Sequence, residues 1–121
     1  MKANRRLNLG HRGESIAASY LVKNGYTILE KNWRTPYGEI DLIARIDQVV
    51  VFVEVKTRAS QALGPPEISI TRRKGEHMRN AAEYFIQQHT ELTMDWRIDV
   101  ISVQIQSGDK SKIDHFENVL T

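Results

Sequence analysis

Apolar residues in "RGESIAASYLVKNG", residues 12–25, recur at Ala17, Ala18 and Leu21, the three-to-four spacing of a helix that buries one face, and Gly25 suits its end. The rhythm then changes. "YTILEKNWR" (26–34) reads as a strand, Thr35-Pro36-Tyr37-Gly38 as a turn, and "EIDLIARI" (39–46) as the strand that turn feeds. After a second turn at Asp47-Gln48, "VVVFVEVK" (49–56) is so continuously apolar that it predicts a central strand covered on both faces. "ASQALGPPEIS" (59–69), with its Pro65-Pro66 pair, predicts a loop. From about Thr71 to His89 a second helix carries Lys74, Met78, Ala81, Ala82 and Phe85 along one side. "WRIDVISVQI" (96–105) alternates as a strand, and "SGDKSK" (107–112) predicts a turn. The predicted order is helix, three strands in a meander, helix, strand: an α/β architecture.

Length and composition narrow this picture. A chain of 121 residues with 40% hydrophobic side chains supports one core, so a single domain over 1–121 is expected. No apolar run approaches the length of a bilayer span, and the basic start "MKANRRLNLGHRGES" lacks the hydrophobic centre of a secretory signal, so a cytoplasmic protein with no membrane partner is expected. The absence of cysteine removes disulfides, thiolate metal sites and cysteine nucleophiles together. Net charge is only +2, yet unevenly spread: residues 1–34 hold seven Lys/Arg against two acids, 56–79 six against two, and 83–121 three against seven. Basic zones flanking the acids Asp41 and Glu54 suit a polyanion drawn toward a carboxylate site, although charge alone often marks only a solvated face.

Those two acids stand where a core would place more valine. Strand alternation projects Glu54 and Lys56 from one side, with Val55 on the other. Across the Asp47-Gln48 turn, residues 41–43 fall opposite 52–54, bringing Asp41 near Glu54. Two neighbouring carboxylates repel and are costly to desolvate, and a hard divalent cation is the natural compensation. The competing explanation is a plain ion pair between Lys56 and one acid, common for an isolated Glu-x-Lys.

Asp41 followed by "VEVK" resembles the signature of the PD-(D/E)xK nucleases, which have a restriction-endonuclease-like fold: a central mixed β-sheet with an antiparallel meander, flanked by helices. More closely, "GESIAASYLVKNGYTILEKNWRTPYGEIDLIARID", "VFVEVKTR" and "RIDVISV" together are similar to the YraN family of small bacterial predicted endonucleases, relatives of archaeal Holliday-junction resolvases. Ile40 stands where the signature usually has proline. The resemblance implies a metal-dependent endonuclease acting on DNA, branched or single-stranded structures included, and a homodimer presenting two sites to two strands. At matching positions Asp41 and Glu54 would hold Mg²⁺ or Mn²⁺, with the Val55 carbonyl as a third ligand. Lys56 would orient or activate water or stabilise charge on the phosphate, and Glu14 would match a helix glutamate of the active site. The alternative is a noncatalytic nucleic-acid- or partner-binding domain that keeps the fold.

Independently of the resemblance, Glu14 shares a helical face with Ala17, Ala18 and Leu21, where a carboxylate wants a partner; a solvated first-turn acid is an equal alternative. Lys74 lies one turn before Met78 and could reach the site over the sheet edge. Arg58 and Lys74 are the candidate phosphate contacts, whereas Arg72 and Arg73 read as ordinary basic surface and Glu39 as an auxiliary acid. The four histidines lack paired zinc-ligand spacing, Gly10 and Gly13 form no phosphate-cradling loop, and Asp99, with no catalytic role, reads equally as a support of the sheet near the site or as a partner of Arg97 or of a backbone amide. Trp33, Tyr37 and Trp96 read as packing aromatics, with stacking on unpaired bases as the alternative.

Overall fold

The computed structural model describes residues 2–59, 70–89, 91, 95–106 and 110–120, with side chains from residue 8 onward. Helix α1 (Lys2–Lys23) leads into strands β1 (Thr27–Thr35), β2 (Gly38–Ile46) and β3 (Val49–Ala59). Helix α2 (Arg72–Gln88), β4 (Asp95–Ile105) and β5 (Ser111–Phe116) follow. The strands form one sheet in the order β1-β2-β3-β4-β5, antiparallel except where β3 and β4 run parallel, joined by the crossover that contains α2. This mixed sheet with an antiparallel meander and a helix against each face is the restriction-endonuclease-like architecture expected from the sequence.

The apolar run of β3 is explained by its place at the centre. Val51 and Val53 join Leu42, Ala44, Ile101 and Val103 beneath Ala17, Ala18 and Leu21 of α1. Val50 and Phe52, on the alternate positions, join Ile43 and Ile98 beneath Met78, Ala81, Ala82 and Phe85 of α2. Thr71 caps α2, its Oγ1 accepting the Lys74 N–H at 3.1 Å.

Two elements differ from expectation. Helix α1 begins at Lys2, ten residues before the expected start. Polar residues and Gly10 weaken the local signal, but Leu9 packs on the α1-side core and holds the extra turns to the sheet. Gly13 makes this crossing possible: a Cβ there would overlap the Thr57 side chain on β3. The second difference is β5, whose first residues, Ser111 and Lys112, fall in the stretch expected to be a turn. Its segment, "SKIDHF", is too polar to announce a strand, and its pairing with β4 creates it. Beyond Ala59, the expected loop over 59–69 lies outside the described residues, as do residues 107–109 of the expected turn.

Candidate functional site

The site begins where β2 leaves β3. Pairing runs from Ile46↔Val49 to Leu42↔Val53, and at the next step the Val55 N–H donates to Asp41 Oδ2 at 2.8 Å. A side-chain carboxylate thus takes a donor that a continuing ladder would have given to backbone. Alternation also breaks here: Leu42 and Ala44 belong to the α1-side core, whereas Ile40 joins Ile43 on the α2 side. On β1, pairs Trp33↔Ile40 and Lys31↔Leu42 bracket Asn32 against Asp41, and Asn32 has a left-handed φ of 49°, which asparagine tolerates well. The distortion turns Asp41 into the space between sheet and helices.

That space is a cleft of about 630 Å³. Gly10, His11 and Glu14 of α1 form one wall; Asn32 and Arg34 of β1 and Glu39 and Asp41 of β2 form another, and Lys74 of α2 closes it. Lys74 Nζ lies 3.5 Å from Glu54 Oε2, with the Glu54 side chain only 18% exposed. Burial, the Glu54 charge and, more weakly, Glu14 raise Asp41 from 3.8 to about 7, against the opposing Val55 N–H bond and Lys74. Two carboxylates, Glu54 and Glu14, therefore act on a third, Asp41, beside one ammonium. Hard cations bind such oxygen donors, and a divalent cation would offset both the burial and the neighbouring charge that raise Asp41.

Of the residues singled out in the sequence, Glu14, Asp41, Glu54 and Lys74 are brought into electrostatic reach of one another. Val55 is tied to them through its N–H. Lys56 lies two residues beyond Glu54 on β3, level with Ser102, and is half-buried. Arg58, also half-buried, lies further along the same strand, level with Gln104. Glu39 lines the cleft and meets Arg34 at 4.0 Å. His11, Asn32 and Arg34 were not among the candidates; their place depends on the extended α1 and on the distortion opposite Asp41, neither of which has a local signature.

A second polar cluster surrounds Asp99, which is fully buried. Arg97 Nε donates to Asp99 Oδ1 at 3.0 Å, and the Asn118 N–H donates to the same oxygen at 2.9 Å, in keeping with the partners expected for Asp99. His115 Nε2 lies 2.7 Å from Asp99 Oδ2, and its Nδ1 3.0 Å from the Tyr20 hydroxyl. Arg97 Nη2 donates to Tyr26 Oη at 2.9 Å and to Glu117 Oε1 at 2.7 Å. Burial would raise Asp99, but its bonds to His115, Arg97 and Asn118 prevail and hold it below the usual carboxylate range. Asp99, His115 and Glu117 offer ligand atoms within 4.8 Å of one another, a grouping that histidine spacing could not reveal because β5 assembles it. The Arg97 guanidinium already supplies a cation to both acids.

A family model described as "Uncharacterised protein family UPF0102" matches residues 13–103, which span both the cleft residues from Glu14 onward and the Glu-Val-Lys triplet. A protein of Syntrophomonas wolfei called "UPF0102 protein" is 44% identical over 110 residues, covering 91% of this chain and 95% of that one. One of Thermodesulfovibrio yellowstonii is 43% identical over 113 residues (93% and 96%), and one of Geobacter metallireducens 42% over 111 (92% and 90%).

Proposed function

Since this chain belongs to the UPF0102 family, the YraN family that its motifs resemble, and the names of its relatives carry no activity, we propose from the site itself that it is a metal-dependent endonuclease hydrolysing DNA phosphodiester bonds. The observation that carries this reading is the convergence of Glu14, Asp41 and Glu54 with Lys74 where β2 separates from β3. Carboxylates forced together in a cleft, one of them held near pH 7, make a poor ion-pair network and a good set of ligands for a hard cation.

Asp41 and Glu54, with the Val55 carbonyl, would hold Mg²⁺ or Mn²⁺. The bound ion would supply Lewis-acid stabilisation of phosphoryl oxygen and acidify a water. The chain's own residues do the remainder. The Val55 N–H fixes one Asp41 oxygen and leaves the other for a ligand. Lys74 restrains Glu54 and presents positive charge to an incoming phosphate, and Lys56, on the same strand face as Glu54, would orient the attacking water or stabilise growing negative charge. Glu14 completes the acidic wall, and Arg58 is a further candidate phosphate contact. Branched or single-stranded DNA as substrate, action in the cytoplasm and a homodimer that places two sites on two strands belong to the same proposal. Among the described residues no helix is long and apolar enough to cross a membrane.

The test is cleavage of labelled single-stranded, duplex, flap and four-way-junction DNA with Mg²⁺ or Mn²⁺, beside Asp41→Ala and Lys56→Ala proteins. Metal-dependent cutting lost in both variants is expected. Binding without cutting, unchanged in both, would replace the nuclease reading with a noncatalytic binding domain.

A further inference from the structure

Next to the cleft lies a second groove of about 450 Å³, along the seam between α1 and β1; Ser15 and Lys31 line it where their chain neighbours Glu14 and Asn32 line the cleft. The same helical stripe lines both: His11 and Glu14 face the cleft, and Ser15, Ala18, Ser19 and Val22, at three- and four-residue steps, carry the wall onward. On β1, which runs back along α1, Arg34 and Asn32 face the cleft, while Lys31 and Ile28 line the groove. From His11 to Val22 the stripe extends about 16 Å at the rise of an α-helix.

The chemistry of this groove is uneven in a useful way. Its floor is apolar, formed by Ala18, Val22 and Ile28, and Val22 is 55% exposed. Its rim carries Lys23 and Lys31, both exposed, and among the described residues no carboxylate lines it. Apolar surface between two lysines suits a chain with phosphates along one edge and sugars and base faces along the other. It does not suit an acidic peptide as well, since Ser15 and Ser19 offer hydroxyls rather than further cations.

We infer that the α1–β1 groove is the path of the nucleic-acid strand leading to the carboxylate site, with Lys23 and Lys31 contacting its phosphates and Val22 packing against sugar or base. This rests on the nuclease reading and adds where the substrate lies.

The test uses the full chain in EDTA, so that binding is measured without cutting. Affinity for a fluorescein-labelled single-stranded deoxyoligonucleotide is followed by anisotropy over a KCl series. Lys23→Gln/Lys31→Gln should weaken binding several-fold and reduce the slope of log K against log salt by roughly 1.4, about 0.7 for each phosphate on a single strand that no longer meets a lysine. Val22→Asp should weaken binding, whereas Val22→Ala, which adds no charge, should leave the slope as it is. Arg72→Gln/Arg79→Gln, which removes the same charge from α2 on the opposite face of the sheet, should leave the slope unchanged. An unchanged slope in the Lys23/Lys31 pair, or an equal fall in the Arg72/Arg79 pair, would overturn the path even if the protein cuts DNA. The expected slopes in a protein that never cuts with metal would uphold the path and overturn the catalytic reading instead.

Discussion

Asp41→Asn should make the metal-free protein more stable, and increasingly so as pH rises. Asp41 is raised from 3.8 to about 7, so between those values the folded chain holds a proton that the unfolded chain has released. Because the unfolded state binds fewer protons across this window, stability falls as pH increases, the reverse of a salt-bridged carboxylate. From pH 5 to beyond pH 7 the folded group must lose its proton against roughly two pH units, or about 2.7 kcal/mol. Asparagine keeps an oxygen for the Val55 N–H bond and carries no charge. The stability of Asp41→Asn relative to wild type should therefore grow by roughly 2–3 kcal/mol between pH 5 and pH 8.5, a relative midpoint shift on the order of 10 °C in a chain of this size. Urea or thermal denaturation in EDTA at the two pH values measures it. Mn²⁺ should reverse the ranking at pH 8.5, since ligand binding stabilises only the chain that keeps its carboxylate ligand. A difference between wild type and variant that stays constant with pH would refute the account of Asp41 as a carboxylate strained by its neighbours.

Gly13→Ala should destabilise by about 1–3 kcal/mol in urea unfolding, because the new Cβ meets Thr57 Cβ at 2.8 Å and its hydroxyl closer still, and Thr57→Ala should recover most of the loss. Arg97→Met should cost about 3–5 kcal/mol by the same measurement, since it leaves the fully buried Asp99 carboxylate without its guanidinium. Asp99 is held below 3.8, so its stabilising contribution is present above that value and lost as pH falls through the lower folded one; in Arg97→Met acid unfolding should begin at higher pH. Lys74→Met should raise Asp41 above about 7 in a carboxyl carbon-13 titration, because Lys74 is one of the two groups that hold it down; no rise would place Lys74 outside the site.

Most of the site could be read from the chain because its members lie on regular elements. Alternation put Glu54 and Lys56 on one face, and the short turn at Asp47-Gln48 set the register that brings Asp41 level with Glu54. The helical repeat likewise placed Glu14 above Ala17, Ala18 and Leu21, and Lys74 one turn before Met78. The Asp99 cluster resisted such reading. Its histidine comes from β5, an edge strand with too little apolar pattern to stand out, and its tyrosines come from α1 and the residue that precedes β1.

The order of the first six elements, the central position of β3 and the residues carrying the candidate chemistry were legible in the chain, because hydrophobic period and turn chemistry are local and repeat over a few residues. The length of α1, the existence of β5, the separation of β2 from β3 at Asp41 and the placing of the groove beside the cleft came instead from packing. Each of these depends on a partner distant in sequence: Leu9 on the core, Thr57 beneath Gly13, β4 beside β5, Val55 against Asp41. Local propensity contributes a fraction of a kilocalorie per residue, so a packed face or a shared backbone donor overrides it wherever the two disagree.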